Sequence, residues 1–410
     1  MVNRNDRNLT AFAMLGHSMF HTYELVIPIF VTVWLDGFSV TTATLGLVVG
    51  AAYALTGVGA LPSGILADRY GGKRLVVACM VGMGGGFLLV AAAPNLPALA
   101  AGLLLWGAAA SIYHPAGLTL ISRGAEERGT AFAYHGFAGN VGVATGPLLG
   151  AILLAFFGWR TVAALLVVPL AVAVVAALRL DFDERAIEEE SEEGDVTSLT
   201  SFVVESRRLF VGGFVLVFLV GNLYGLYYRG AFTFLPDILA GIPRFEPATV
   251  FGRTVEPSQY VYSGLLILGG LGQFVGGKLV DRVQAEYALV GTFTALVIVA
   301  LAVVPAAEAG LLPLLVVAGL LGFLVFMEAP INQEVISRHV PAEVRGLSFG
   351  YTYVAVLGVG ALGAAVAGFV LSRWDATVLF AVLAAAALGA VALGVYLART
   401  TPAEGAARAT

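Results

Sequence analysis

The residues best able to do chemistry in this 410-residue chain sit where charge is scarcest. His17, His21, His114 and His135, four of the five histidines, fall in long apolar stretches. His17, His21 and Glu24 recur at i, i+4 and i+7, so they share one helical stripe about 60° wide, with Pro28 on the same stripe. A carboxylate beside two imidazoles can exchange protons near neutral pH, because imidazole titrates near about 6.5. The other reading of each imidazole is a buried ring bonded to a neighbouring helix. The i, i+4 imidazole spacing also suits zinc, but no His-Glu-x-x-His motif accompanies it and no metal is expected. His114 precedes Pro115, whose missing amide frees a backbone carbonyl that polar neighbours must satisfy.

The second half of the chain offers a different set. Asn222 and Arg229 lie seven residues apart on one helical face, among Tyr224, Tyr227 and Tyr228. Arg229 either snorkels to the headgroups or stands in a cavity, where it could bind an anion or neutralise Glu24. Glu328 and Asn332 flank Pro330 on one face and are the leading carboxylate and amide of this half. Gln273 and Tyr351 could add hydrogen bonds, although aromatic stripes more often pack. His339 reads as a solvated loop residue. Ionisable groups at membrane depth cost at least about 2.5–3.5 kcal/mol each, so together they are expected to line a substrate or proton pathway.

The elements that hold them follow from composition. Apolar residues make up 59 % of the chain and charged residues 12 %, half the charge of a soluble domain, with a mean hydropathy of +0.90. That excludes a soluble enzyme and a disordered chain. A net charge of −5 with scattered Lys and Arg argues against nucleic acid as a partner, and Cys79 alone cannot form an internal disulfide. Twelve stretches are long enough to cross a bilayer: 9–35, 43–67, 74–93, 97–121, 129–157, 159–180, 209–236, 258–280, 287–305, 311–336, 346–371 and 375–398. They are continuously apolar rather than alternating, which excludes a barrel. The first stretch reads as a retained helix, because no small-residue cleavage site follows it. With the N-terminus inside, 17 of the Lys and Arg fall on the cytoplasmic side and 4 outside, so both termini are expected in the cytoplasm.

A polar stretch at 181–208 holds ten of the 27 acids and reads as a solvated linker with a short interfacial helix at 196–208. It separates an N-terminal unit, 1–180, from a C-terminal unit, 209–410. The two repeat one another. Gly64-Ile65-Leu66-Ala67-Asp68-Arg69 is echoed by Gly277-Lys278-Leu279-Val280-Asp281-Arg282, and Pro115 with Ile121-Ser122-Arg123 by Pro330 with Ile336-Ser337-Arg338. Parallel six-span repeats place a substrate site at their interface near the midplane.

These landmarks resemble the major facilitator superfamily along essentially the whole chain. The loop from Gly64 to Arg74 is similar to that superfamily's signature between spans two and three. The resemblance implies an all-α membrane protein of two pseudo-symmetric six-helix bundles, working by alternating access, with Asp68, Arg69, Asp281 and Arg282 as gating residues. Gly142-x-x-x-Gly146-Pro147-x-x-Gly150 in span five is similar to the antiporter motif of drug exporters. Gly139, Gly142 and Gly146 share one face there, so a neighbouring helix can come close. Ser111-Ile112-Tyr113-His114-Pro115 with the His-bearing first span resembles the fosmidomycin-resistance branch. One departure matters: Leu103 stands where drug–proton antiporters carry an Arg in span four, so an Arg-based coupling scheme does not carry over. The expected protein is a multi-pass transporter of the cytoplasmic membrane, monomeric, with a small-molecule substrate and protons as partners and no cofactor. Export is the leading direction, with an importer or facilitator of an organic anion or nutrient as the alternative. No phosphate-binding loop and no catalytic constellation is present, so ATP drive and enzymatic activity are not expected.

Overall fold

A computed structural model describes the backbone of residues 3–187, 199–211, 214–340 and 345–400. Among them, twelve helices are long and apolar enough to cross a membrane: Arg4–Phe38, Thr42–Gly64, Gly72–Ala92, Leu96–Gly124, Arg128–Leu154, Trp159–Arg179, Phe214–Ala240, Pro257–Val280, Ala285–Ala309, Leu311–His339, Gly350–Arg373 and Ala376–Thr400. In chain order they are spans one to twelve, and each coincides with an expected stretch. Span one starts earlier than its apolar run because Asn3 caps it, its side chain accepting from the Asp6 amide at 2.7 Å. The buried Asp6 carboxylate then accepts from the amides of Glu126 and Glu127, tying span one to the turn between spans four and five.

Among the described residues five spans are interrupted, span six at Leu166 and span seven at Thr233 and Phe234. Span two breaks at Gly59 and span four at Ser111 and Ile112, where Pro115 has no amide to give the Ser111 carbonyl. The two breaks touch: a Cβ at Gly59 would meet the Ser111 hydroxyl. Span eleven passes through a π turn at Val354–Gly358 and a 3-10 turn at Val359–Ala361.

Close backbone packing fixes the neighbours. Span five lies on span one along Gly139, Gly142, Gly146 and Gly150, as the shared face of small residues anticipates. A Cβ on Gly142 would stand 2.1 Å from the Ser18 carbonyl oxygen, so only glycine fits. The first six spans meet the last six along two seams. Span two follows span eleven from Thr42, whose hydroxyl donates to the Gly368 carbonyl at 2.9 Å, down to Gly57, whose backbone abuts Gly358. Span five meets span eight where the Asn140 amide donates to Gln273 Oε1 at 2.7 Å. At the end away from the termini a short hairpin, Ala248–Val250 with Arg253–Val255, carries Arg253 over the Phe156 ring.

Two expectations need revision. The helix expected at 196–208 runs Leu199–Val211, and residues 188–198 with their acidic run lie outside the described residues. His339 is not a solvated loop residue: span ten continues to it, its Nδ1 donates to the Val335 carbonyl, and it stands 3.7 Å from a buried Glu286 oxygen. The apolar stretch stops at 336, but the backbone bonds of the last turn do not.

Candidate functional site

Span one carries its polar stripe into the seam between the two halves. Glu24 is 1 % exposed, and its two oxygens are divided between partners. Oε2 accepts from His21 Nδ1 at 2.6 Å, and Oε1 accepts from the Arg229 guanidinium of span seven. Arg229 is 2 % exposed, so it is neither a snorkelling residue nor a free cation. Its guanidinium lies 3.8 Å from the ring centroid of Tyr53 and 4.8 Å from that of Tyr228. Burying an ion pair costs desolvation energy, which two aromatic faces and a second hydrogen bond partly offset. The Tyr53 hydroxyl donates to the Glu24 backbone carbonyl at 2.9 Å, holding span two on span one at the same depth.

One turn earlier the imidazoles gather. His17 Nδ1 donates to the His135 carbonyl at 2.7 Å, and the His135 ring stacks on the His17 ring at 3.8 Å. His17 Nε2 faces His21 Nε2 at 3.1 Å. His135 Nε2 meets the Tyr113 hydroxyl, which in turn donates to the Ala13 carbonyl. His114 sits edge-on to His17 and stacks on Tyr353 of span eleven, a second link between the halves. Its Nδ1 is buried and has no partner. His21, with 20 % of its side chain exposed, is the accessible edge of this cluster.

The polar residues of the last six spans are arranged otherwise. Glu328 is 1 % exposed, and neither of its oxygens has a partner. The Asn332 and Asn222 carbonyl oxygens are also buried without partners, although the Asn222 amide donates to the Phe218 carbonyl. The titratable neighbour facing Glu328 is Tyr224 of span seven, whose hydroxyl donates to the Val325 carbonyl at 2.9 Å. Gln273 joins Asn140, a residue that sequence reasoning passed over. Tyr351 lies apart from this region: its hydroxyl donates to Ser206 beside the Phe210 ring. Of the expected gating residues, Asp281 stands 3.9 Å from Lys278 on an exposed turn and Arg69 lies over its neighbour Tyr70, while Arg282 is exposed. The side chain of Asp68 lies outside those described.

Tyr53 was also missed. A tyrosine in a Gly- and Ala-rich stretch gives no sign of its partners, since helical rotation decides whether its ring meets Arg229. The stripe of His17, His21 and Glu24 does come together, and Arg229 joins it from the other half. Glu328 and Asn332 occupy a separate buried position on span ten.

The model of the Major Facilitator Superfamily matches residues 9–362. The chain belongs to this superfamily. It is therefore a multi-pass protein of the plasma membrane built as a transporter of that superfamily, rather than an enzyme. The nucleoside transporter NupG superposes with a TM-score of 0.73 at 14 % identity, over 96 % of this chain and 100 % of that one, a likeness of fold. Among curated relatives, the 4-hydroxybenzoate transporter PcaK of Pseudomonas aeruginosa is 33 % identical over 39 % of this chain and 40 % of its own. A Na(+), Li(+), K(+)/H(+) antiporter of Planococcus maritimus is 32 % identical over 47 % of each. The superfamily member described here thus spans less than half the length of either relative. Its polar seam lies where the two sets of six spans meet.

Proposed function

We propose that this transporter exports a small molecule in exchange for protons, by alternating access between bundles 1–180 and 209–410 joined through 181–208, with both termini in the cytoplasm. The observation that carries the coupling is Glu328, a buried carboxyl with neither oxygen partnered. An isolated buried carboxylate costs several kcal/mol, whereas a neutral carboxyl costs far less. Glu328 therefore carries a proton in this arrangement and gives it up when the seam opens and water reaches it. Arg229 and Glu24 act as a latch across the seam, and they must separate or shift as the halves tilt. Asp68, Arg69, Asp281 and Arg282 tune the closure on the cytoplasmic side.

Exchange, rather than symport, is supported by the Gly142-x-x-x-Gly146-Pro147 face packed on span one and by the relative named as an H(+) antiporter. The fosmidomycin-resistance branch remains our subfamily reading on the span-one and span-four motifs. A second reading, uptake of a small organic anion, is favoured by the relative named as a 4-hydroxybenzoate transporter.

The test begins with a thermal-shift screen of small molecules to find a substrate. Proteoliposomes then compare wild type with Glu328→Gln under opposed pH gradients. An acid lumen should load substrate in the wild type, and the variant should lose accumulation while keeping downhill exchange. Equal accumulation in both proteins removes Glu328 from coupling. Loading only when the outside is acid replaces exchange with symport.

A further inference from the structure

The hydrogen bonds around the histidine cluster leave its central contact unsatisfied. A carbonyl oxygen only accepts, so His17 Nδ1, facing the His135 carbonyl, carries the hydrogen. Glu24 is already paired with Arg229 and accepts through both oxygens, so His21 Nδ1 carries its hydrogen too. In the neutral rings, both Nε2 atoms are then lone-pair acceptors, yet they face one another at 3.1 Å. His114 Nδ1 is buried without a partner. One nitrogen from each of the three rings lies within 4.8 Å of the others.

From this convergence we propose that His17, His21 and His114 form a binding site for a late first-row divalent metal ion of the zinc, cobalt or nickel class. Imidazole nitrogens suit these ions. With metal–nitrogen bonds of about 2.0–2.1 Å, tetrahedral ligands stand about 3.3 Å apart, close to the spacing that His17 and His21 already have. The surroundings match what such ligands need. A carboxylate holds the far nitrogen of one ring and a backbone carbonyl that of another, which fixes the tautomer and aims Nε2 inward. A proton shared by His17 and His21 would satisfy two nitrogens and leave His114 unused, whereas a metal takes all three. Three protein ligands leave a fourth position for water or for a ligand group of a substrate, and the part-exposed His21 marks the accessible side of the cluster. The glutamate of a metalloprotease helix, replaced here by Ser18, is not a metal ligand, so its absence is no obstacle, and the third ligand comes from span four. This site does not depend on the coupling role given to Glu328.

The experiment uses the full chain, purified without a polyhistidine tag, and titrates it with Co(2+) while following the visible bands of tetrahedral cobalt. One equivalent should bind and be displaced by Zn(2+). His114→Ala leaves the ion pair and both Nδ1 bonds in place, and should weaken binding by at least about tenfold, the lower end of what outer-shell changes alone cost. His339→Ala, at the end of span ten, should bind as the wild type does. His21→Asn serves as a second ligand variant should His114→Ala fail to purify as a single species. Absence of tetrahedral bands, undiminished binding in the ligand variants, or weakening in His339→Ala overturns the proposal. So does a nitrogen-15 imidazole spectrum that shows a proton held between His17 and His21 and does not respond to Zn(2+).

Discussion

The two halves of this transporter treat buried polarity in opposite ways. In the first six spans the ionisable groups at mid-depth, His114 apart, are hydrogen-bonded: His21 to Glu24, His17 to the His135 carbonyl, and His135 to Tyr113. In the last six, Glu328, Asn332 and Asn222 each leave a buried oxygen unpartnered. Arg229 belongs by sequence to the second set and by contact to the first. The contrast separates two roles that membrane-buried charge can take. A bonded network holds helices in register and loses much when a member is removed, while an isolated carboxyl contributes little to stability and is free to change state.

The sharpest break of this comparison is at the ion pair. Arg229→Ala strands the Glu24 carboxylate and should cost about 3–5 kcal/mol, read as a large fall in melting temperature in detergent. Joining Glu24→Gln to Arg229→Gln should recover much of that loss, and a double variant no better than either single one would show that the pair is not the unit. A smaller loss, about 1–3 kcal/mol, is expected for Gly142→Ala, whose methyl meets the Ser18 carbonyl. Gly136→Ala, with nothing within 4 Å of its Cβ, should melt no lower than the wild type. In the second half the sign turns. Glu328→Leu should leave the melting temperature unchanged or raise it, because exchanging an unpartnered polar group for an apolar one removes a cost; a fall like that of Arg229→Ala would erase the contrast.

The smallest effect belongs to an exposed carboxylate. Asp375 caps span twelve by accepting from the Val378 amide at 3.1 Å, and this bond holds its carboxyl below the ordinary aspartate range. Its contribution is therefore complete above about pH 4 and is lost as pH falls through the lowered value. The melting difference between wild type and Asp375→Asn should shrink on acidification.

Much of the architecture was legible because a bilayer imposes a long apolar run on every crossing, and twelve such runs stood out. The stripe of His17, His21 and Glu24 and the glycine face of span five were legible for the same reason, since each depends on spacing within one helix. What escaped depends on how helices are rotated against each other. Tyr53 and Asn140 gain their partners from another span, whereas the pairing of Arg229 with Glu24, 205 residues apart, was one of the alternatives the sequence offered. The interruption of span eleven was hidden too, because Val354 to Gly358 is as apolar as the turns around it.

That interruption lies against the break in span two, where Gly57 meets Gly358 with no side chain between them. A joint made of bare main chain has no rotamers to reset when its arms swing. The two helices can therefore pivot at that point with no side chain there having to change rotamer.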